Sequence, residues 1–156
     1  MSGPVIRAAT KADQDDIRAL IFAVLNEYAL EPDPKTIDQD LFDIEGYYHD
    51  GVFDVLVSDD GDIMGTVGLK PIRSGVCELR KMYLKASYRG RGNGGRLLKH
   101  AIASAKGLGM NRIELETARV LEEAIGLYEK FGFAEIEHDN FEKRCDHALA
   151  LDLEPS

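Results

Sequence analysis

The segment Arg89-Gly90-Arg91-Gly92-Asn93-Gly94-Gly95-Arg96 concentrates the residue types that bind phosphate. Glycine lets a backbone approach an anion closely and present several N–H groups to it, and arginine offers planar charged forks that match phosphate oxygens. Directly behind it, Leu97, Leu98, Ala101, Ile102, Ala105 and Leu108 recur at helical spacing. The run therefore opens a helix, whose N-terminal N–H groups and positive dipole end favour negative charge at the same place. This predicts a loop that cradles a ligand carrying phosphates. Gly90, Gly92 and Gly95 also spell G-x-G-x-x-G, with Glu114 and Glu116 downstream, as in a dinucleotide-binding unit. That unit needs an apolar strand running straight into its first glycine. Here Lys85-Ala86-Ser87-Tyr88-Arg89 intervenes, which argues against a nicotinamide-dependent oxidoreductase.

Charge placement supports a small anionic ligand. Between Lys70 and Arg112 there are eleven Lys and Arg against one acid, Glu78, whereas between Glu31 and Asp62 there are eleven acids against one base, Lys35. The net charge of −9 argues against nucleic-acid binding, which runs on clustered positive charge over a large face. The basic stretch suits a polyanionic cofactor. The acidic stretch either attracts a cationic second substrate or simply keeps the surface soluble. Cys77 and Cys145 have no zinc-site spacing and His49, His100, His138 and His147 are scattered, so no metal is expected and both thiols are read as reduced. No apolar run approaches a membrane span, and Met1 to Thr10 lacks the regions of a signal peptide, so the expectation is a cytoplasmic protein without a membrane partner.

The elements that must position this loop follow from periodicity. With 156 residues and a hydrophobic share of 44%, residues 1–156 read as a single domain with an ordinary core. Val5-Ile6-Arg7 reads as a strand, and Thr10 with Asp13 forms a capping box for a helix whose apolar face is Ile17, Leu20, Ile21, Val24 and Leu25. Glu31-Pro32-Asp33-Pro34 breaks it, and Ile37, Leu41 and Ile44 predict a second, shorter helix. Phe53, Val55 and Val57, the turn at Ser58 to Gly61, and Ile63, Gly65, Val67 and Leu69 read as an antiparallel hairpin. Val76 to Leu84 makes a third strand. In it the apolar positions move from Cys77 and Leu79 to Met82 and Leu84, which predicts either a bulge near Arg80 or Lys81 or a strand buried on both faces. After the glycine loop and its helix come a strand at Arg112 to Glu116, a helix at Leu121 to Lys130, and strand-like stretches at Phe133 to Glu137 and Ala148 to Leu153. This order describes an α+β fold on a sheet of mixed direction.

The chain resembles the GCN5-related N-acetyltransferase (GNAT) family. Arg89, Gly92 and Gly94 match its cofactor motif, an Arg or Gln, two variable residues, Gly, one variable residue, then Gly or Ala. The likeness extends upstream to Glu78-Leu79-Arg80-Lys81-Met82-Tyr83-Leu84 and downstream to Ala124-Ile125-Gly126-Leu127-Tyr128-Glu129-Lys130-Phe131-Gly132-Phe133, covering Ile63 to Glu137 in the family's order. The resemblance implies the acyl-CoA N-acyltransferase fold, a central mixed sheet of about seven strands flanked by about four helices. It implies acetyl-CoA as cosubstrate, with its pyrophosphate on the backbone of Arg91, Gly92, Asn93, Gly94 and Gly95 and the side chains of Arg89 and Arg91 nearby. Gly90 and Arg96 complete that loop. Met82, Tyr83 and Leu84 would pair with the pantetheine arm through their backbone, in a gap that a bulge would open.

The resemblance further implies direct acetyl transfer to an amine in a ternary complex. An amine near lysine's reference pKa of about 10 is mostly protonated at neutral pH, so a carboxylate that takes its proton helps. Glu78 occupies the position of a carboxylate base in members that use one; the other reading is an ion pair with Arg80 or a neighbouring strand. A backbone N–H near Met82 would meet the developing oxyanion charge. Tyr128 matches the tyrosine that protonates the departing sulfur, though Ile125 and Phe131 flank it as they would a core residue. Where the family often carries Asn, this chain has Leu121. The acceptor is a small-molecule amine or a lysine or N-terminal amine, with Asn26, Tyr28, Tyr47, Tyr48 and His49 as lining candidates. Asp33, Asp38, Asp40 and Asp43 tilt the expectation toward a cationic amine. A homodimer, common in the family, is the assembly the resemblance admits. The other functional class in view is a noncatalytic acyl-CoA-binding or interaction module.

Overall fold

The computed structural model describes residues 3–138, 141 and 144–154. Seven strands form one sheet: β1 Val5–Ala8, β2 Val52–Val57, β3 Ile63–Arg73, β4 Val76–Leu84, β5 Arg112–Thr117, β6 Ala134–Glu135 and β7 His147–Asp152. Their order is β1-β2-β3-β4-β5-β7-β6, antiparallel throughout except for the parallel pair β4–β5. The helices are α1 Gln14–Glu27, the single turn α2 Ile44–Tyr47, α3 Asn93–Gly107 and α4 Glu122–Lys130.

The sheet separates two cores. On one face Ile17, Leu20, Ile21, Val24 and Leu25 of α1 pack on Phe53, Val55, Val57 and Ile63. On the other, Leu97, Leu98, Ala101 and Ala105 of α3 pack with Leu56, Leu69, Cys77, Leu79 and Ile113. The 3.6-residue period read from α1 and α3 therefore locates both buried stripes, except that Leu108 lies beyond α3 and is 37% exposed. Thr10 donates its backbone N–H to the Asp13 carboxylate at 2.8 Å, as the capping reading requires, in a 3-10 turn that leads into α1. Arg7 holds the same carboxylate with two hydrogen bonds of 2.7 and 2.9 Å, tying β1 to α1.

The second helix expected over Ile37, Leu41 and Ile44 is instead a 3-10 turn at Gln39–Phe42 followed by α2, although all three apolar residues are buried. Aspartates compete with the helical ladder for backbone donors. Here the Asp38 carboxylate accepts the Asp33 N–H at 2.7 Å and the Asp43 carboxylate accepts the Gly46 N–H, which breaks the run into turns.

The expected bulge is in β4. Thr66 of β3 faces Tyr83 and Gly68 faces Arg80, so Lys81 and Met82 stand against the one residue between. Lys81 adopts φ 53°, and the buried Thr66 hydroxyl donates to its carbonyl at 2.7 Å, which fixes the kink. The extra residue returns Met82 and Leu84 to the face that carries Cys77 and Leu79. The same kink turns β4 away from β5. Their pairing runs from Val76–Arg112 to Glu78–Glu114 and goes no further, while β5 continues to Thr117 against β7.

Candidate active site

The splay between β4 and β5 opens a cavity of about 320 Å³ that runs across the sheet from the start of α3 to the end of α1. Its floor is the second half of β4, Arg80 to Leu84, facing Leu115, Glu116 and Thr117 of β5. At one end stand Gly90, Gly92, Gly94 and Gly95, with Ala124, Leu127 and Tyr128 of α4 as a wall. At the other end stand Val24, Tyr28, Leu30, Ile37, Arg144 and Cys145.

The glycine end has the form of a helix N-terminus with open backbone donors. Gly92 caps α3 at φ 83°, a left-handed conformation that glycine adopts without strain, and Arg96 N–H to Gly92 O, 3.1 Å, is the first bond of the helix. The N–H groups ahead of Arg96 therefore lack helical partners and point out of the helix end. A side chain at Gly90 or Gly92 would project into open space over that end, whereas one at Gly94 would sit 3.2 Å from Leu127. A 3-10 turn, Ala86–Tyr88, separates β4 from the glycines, so the strand-into-glycine junction of a dinucleotide unit is missing here.

The arginines do not all face the cavity. The Arg89 guanidinium donates to Leu84 O at 2.8 and 3.0 Å and forms an ion pair with Glu27, beside Tyr28. It staples the end of β4 to α1 and lines the cavity beside the glycines, with its charge shared with Glu27. Arg91 and Asn93 lie instead toward Ser58, Asp59 and Asp60 of the β2–β3 turn. Asn93 donates to Tyr88 O at 3.0 Å, and Arg96 is exposed on α3.

Tyr128 is 4% exposed, with its ring against Phe133 at 5.7 Å, and it lines the cavity. Burial, reinforced by Tyr83 nearby, pushes its hydroxyl well above the ordinary tyrosine range, so the group stays a proton donor. Leu121 ends up as the cap of α4 and lines the same cavity, placing an apolar group where the family motif is polar.

Glu78 lies at the last β4–β5 pair, where the gap begins. Arg80 donates to its Oε1 at 2.8 Å, so the ion-pair reading of this residue is realised, and Glu78 lines the cavity as well.

The acidic segment behaves differently from its sequence reading. Asp38 and Asp40 are 0% and 1% exposed and face inward. Arg144 holds Asp38 with two bonds of 2.7 Å, and Tyr48 donates to Asp40 at 2.5 Å. Lys81 Nζ, also buried, donates to Ile37 O at 2.8 Å and stands 3.4 Å from Asp38 and 3.2 Å from Asp40 Oδ1. That last contact is attractive but out of line for a hydrogen bond, which leaves Asp40 Oδ1 a buried acceptor without a donor. Burial, with Arg80 alongside, lowers the Lys81 ammonium below the ordinary lysine range. Asp38 and Asp40 thus neutralise buried cations, whereas Asp33 is half-buried and Asp43 exposed, so only part of the acidic segment forms surface. Of the lining candidates, Tyr28 reaches the cavity, Tyr48 is core, and Asn26, Tyr47 and His49 are exposed outside it. Arg144 escaped sequence reasoning, because it sits in a segment without periodicity or motif, and Lys81 was read only as a bulge position, not as a cation at the cavity.

The comparisons agree with this geometry. Residues 18–133 match the model of the Acetyltransferase (GNAT) family. The chain is 35% identical over 141 residues to the uncharacterized N-acetyltransferase YjgM of Escherichia coli (strain K12), covering 86% of this chain and 84% of that protein. It superposes with a TM-score of 0.90 on an acetyltransferase of the GNAT family from Staphylococcus aureus Mu50, at 23% identity over 97% of this chain and 99% of the other. A GNAT superfamily phosphinothricin acetyltransferase from Sinorhizobium meliloti, solved in complex with AcCoA, gives 0.78 at 18% identity over 99% and 94%. The chain belongs to the GNAT family and is an acetyltransferase of that family.

Proposed function

We propose that this protein transfers the acetyl group of acetyl-CoA directly to a primary amine, with both substrates bound at once. The observation that carries the reading is the single cavity that joins the glycine-built end of α3, the half of β4 left open on its β5 side and the Tyr128 wall. The residues present fit the cofactor. Backbone N–H groups of Gly92 to Gly95 would hold its phosphates, and the β4 backbone around Met82 to Leu84, left open on its β5 side, would pair with an amide-rich arm. Acetyl-CoA supplies an activated acyl group on a thiol leaving group.

The chain's own residues do the rest. A backbone N–H beside the Lys81 kink, near Met82, would meet the negative charge that develops on the acyl oxygen. Glu78, beside the gap, takes the proton that the acceptor ammonium must lose, directly or through water. Tyr128 keeps its proton at neutral pH and delivers it to the departing sulfur. Among the described residues no helix is long and apolar enough to cross a membrane. Cys77 is buried, its thiol pushed up to about 11 by that burial. Purified protein incubated with acetyl-CoA and an amine panel should release thiol only when an accepted amine is present. Acetyl-CoA binding without thiol release from any amine would reduce the protein to an acyl-CoA-binding module.

A further inference from the structure

The end of the cavity away from the glycines carries cations in front and acids behind. Arg80, Lys81 and Arg144 line it, whereas Asp38 and Asp40 are buried behind them and do not. The three converge on one short segment: Ile37 O accepts from Arg80 at 3.0 Å and from Lys81 at 2.8 Å, and the next residue, Asp38, accepts from Arg144. Glu78, which lines the cavity too, is engaged by Arg80. Acids and bases here balance in number but not in position. The pairs of Lys81 and Arg144 with Asp38 and Asp40 are fixed dipoles with their positive ends toward the cavity, and fixed dipoles of one sense hold an anion without reorganising.

Donor capacity points the same way. Arg144 Nη1 bonds Asp38 and Glu31 O, Nη2 bonds Asp38, and Tyr83 engages the guanidinium as well. A guanidinium has five N–H donors, more than these contacts to described residues engage, and Arg144 lines the cavity. Arg80 bonds Tyr48, Glu78 and Ile37 O, which also leaves donors over.

We propose that the acceptor carries a carboxylate beside its amine, as a free amino acid does, and that Arg144 with Arg80 receives that carboxylate. This rests on the transferase reading and adds the substrate class. The amine end of such a zwitterion then falls toward Glu78 and the β4–β5 gap. The positive wall also disfavours an ammonium nearby, which helps the amine lose its proton.

The test compares matched acceptors in the thiol-release assay: methionine, glutamate and phenylalanine, each with its α-amide, together with spermidine. The amide's amine is the weaker base and more of it is uncharged at neutral pH, so reactivity alone favours the amide. The proposal expects at least one acid to exceed its amide in kcat/KM by about tenfold or more, a margin that charge-assisted bonding to arginine supplies. Arg144→Lys keeps the charge that Asp38 needs but loses the planar fork. It should raise KM for that acid about tenfold while the KM values for its amide and for acetyl-CoA stay within about threefold. Amides or spermidine turning over as well as the acids would overturn the carboxylate subsite and leave the transferase standing. A second readout is the melting temperature of the CoA-bound protein with the N-acetylated acids or their amides. A shift from the acids alone, lost in Arg144→Lys, supports the subsite even if no amine turns over, in which case the transferase reading falls. No turnover and no shift overturns both.

Discussion

Replacing Tyr128 with Phe separates its two readings, because the structure assigns them opposite signatures. The side chain is 4% exposed and packs on Phe133, and no described residue accepts a hydrogen bond from its hydroxyl. Tyr128→Phe therefore removes no internal hydrogen bond and opens no cavity larger than one oxygen. Stability should change by less than about 1 kcal/mol, a shift of no more than about 4 °C in melting temperature for a chain of this size. Loss of a positioned general acid costs about 10²- to 10⁴-fold in rate. At 1.36 kcal/mol per decade, that is roughly 3 to 5 kcal/mol of barrier. The assay pairs single-turnover acetyl transfer with thermal unfolding and acetyl-CoA titration. The expected outcome is a large loss of rate with affinity and melting temperature nearly intact. The sign of the pH effect follows from burial: the hydroxyl titrates above the ordinary tyrosine range, so the parent should lose no activity through this group below about pH 10. A variant that turns over within twofold of the parent, with chemistry rate-limiting, would make Tyr128 a packing residue and oblige another donor to protonate the sulfur.

Other substitutions probe the rest of the site and the fold. Glu78→Gln should weaken activity most at low pH, where the acceptor is protonated, with partial rescue as pH rises; a pH-independent loss would show that Glu78 only anchors Arg80. Gly92→Val places a β-branched residue at φ 83° and should abolish the thermal shift that acetyl-CoA produces, provided circular dichroism shows the fold intact; an unchanged titration would remove the phosphate cradle. Asp13, held down to about 2 chiefly by its bonds to Arg7, has a depressed folded-state value. Its stabilisation is present above the ordinary carboxylate range near 4 and is lost as pH falls through about 2. With Arg7 42% exposed, solvent screening reduces it to about 1 kcal/mol. Asp13→Asn should lower stability by that amount at pH 7 and by nothing below pH 2, and a gap that ignores pH would contradict the ion pair.

Local pattern determined much of this protein. The stripes of α1 and α3, the hairpin β2–β3, the glycine cap of α3 and the shift of apolar parity in β4 are properties of residues within a few positions of one another. Sequence reports them because helical and strand periods, and the conformations open to glycine, are themselves local. The short β6, Ala134–Glu135, shows the limit, since its two paired residues are decided by where β7 passes rather than by their own pattern. The acceptor end was decided by tertiary structure. Arg144, Lys81 and Asp38 lie far apart in the chain, and nothing in their neighbourhoods marks them as partners. Sequence showed Asp38 and Asp40 as part of an acidic stretch; the fold turned these two inward, where a guanidinium and an ammonium meet them, because an unpaired carboxylate taken from water costs far more. That inversion, from acidic segment to cationic wall, depends on which side chains the fold brings face to face, and no spacing along the chain encodes it.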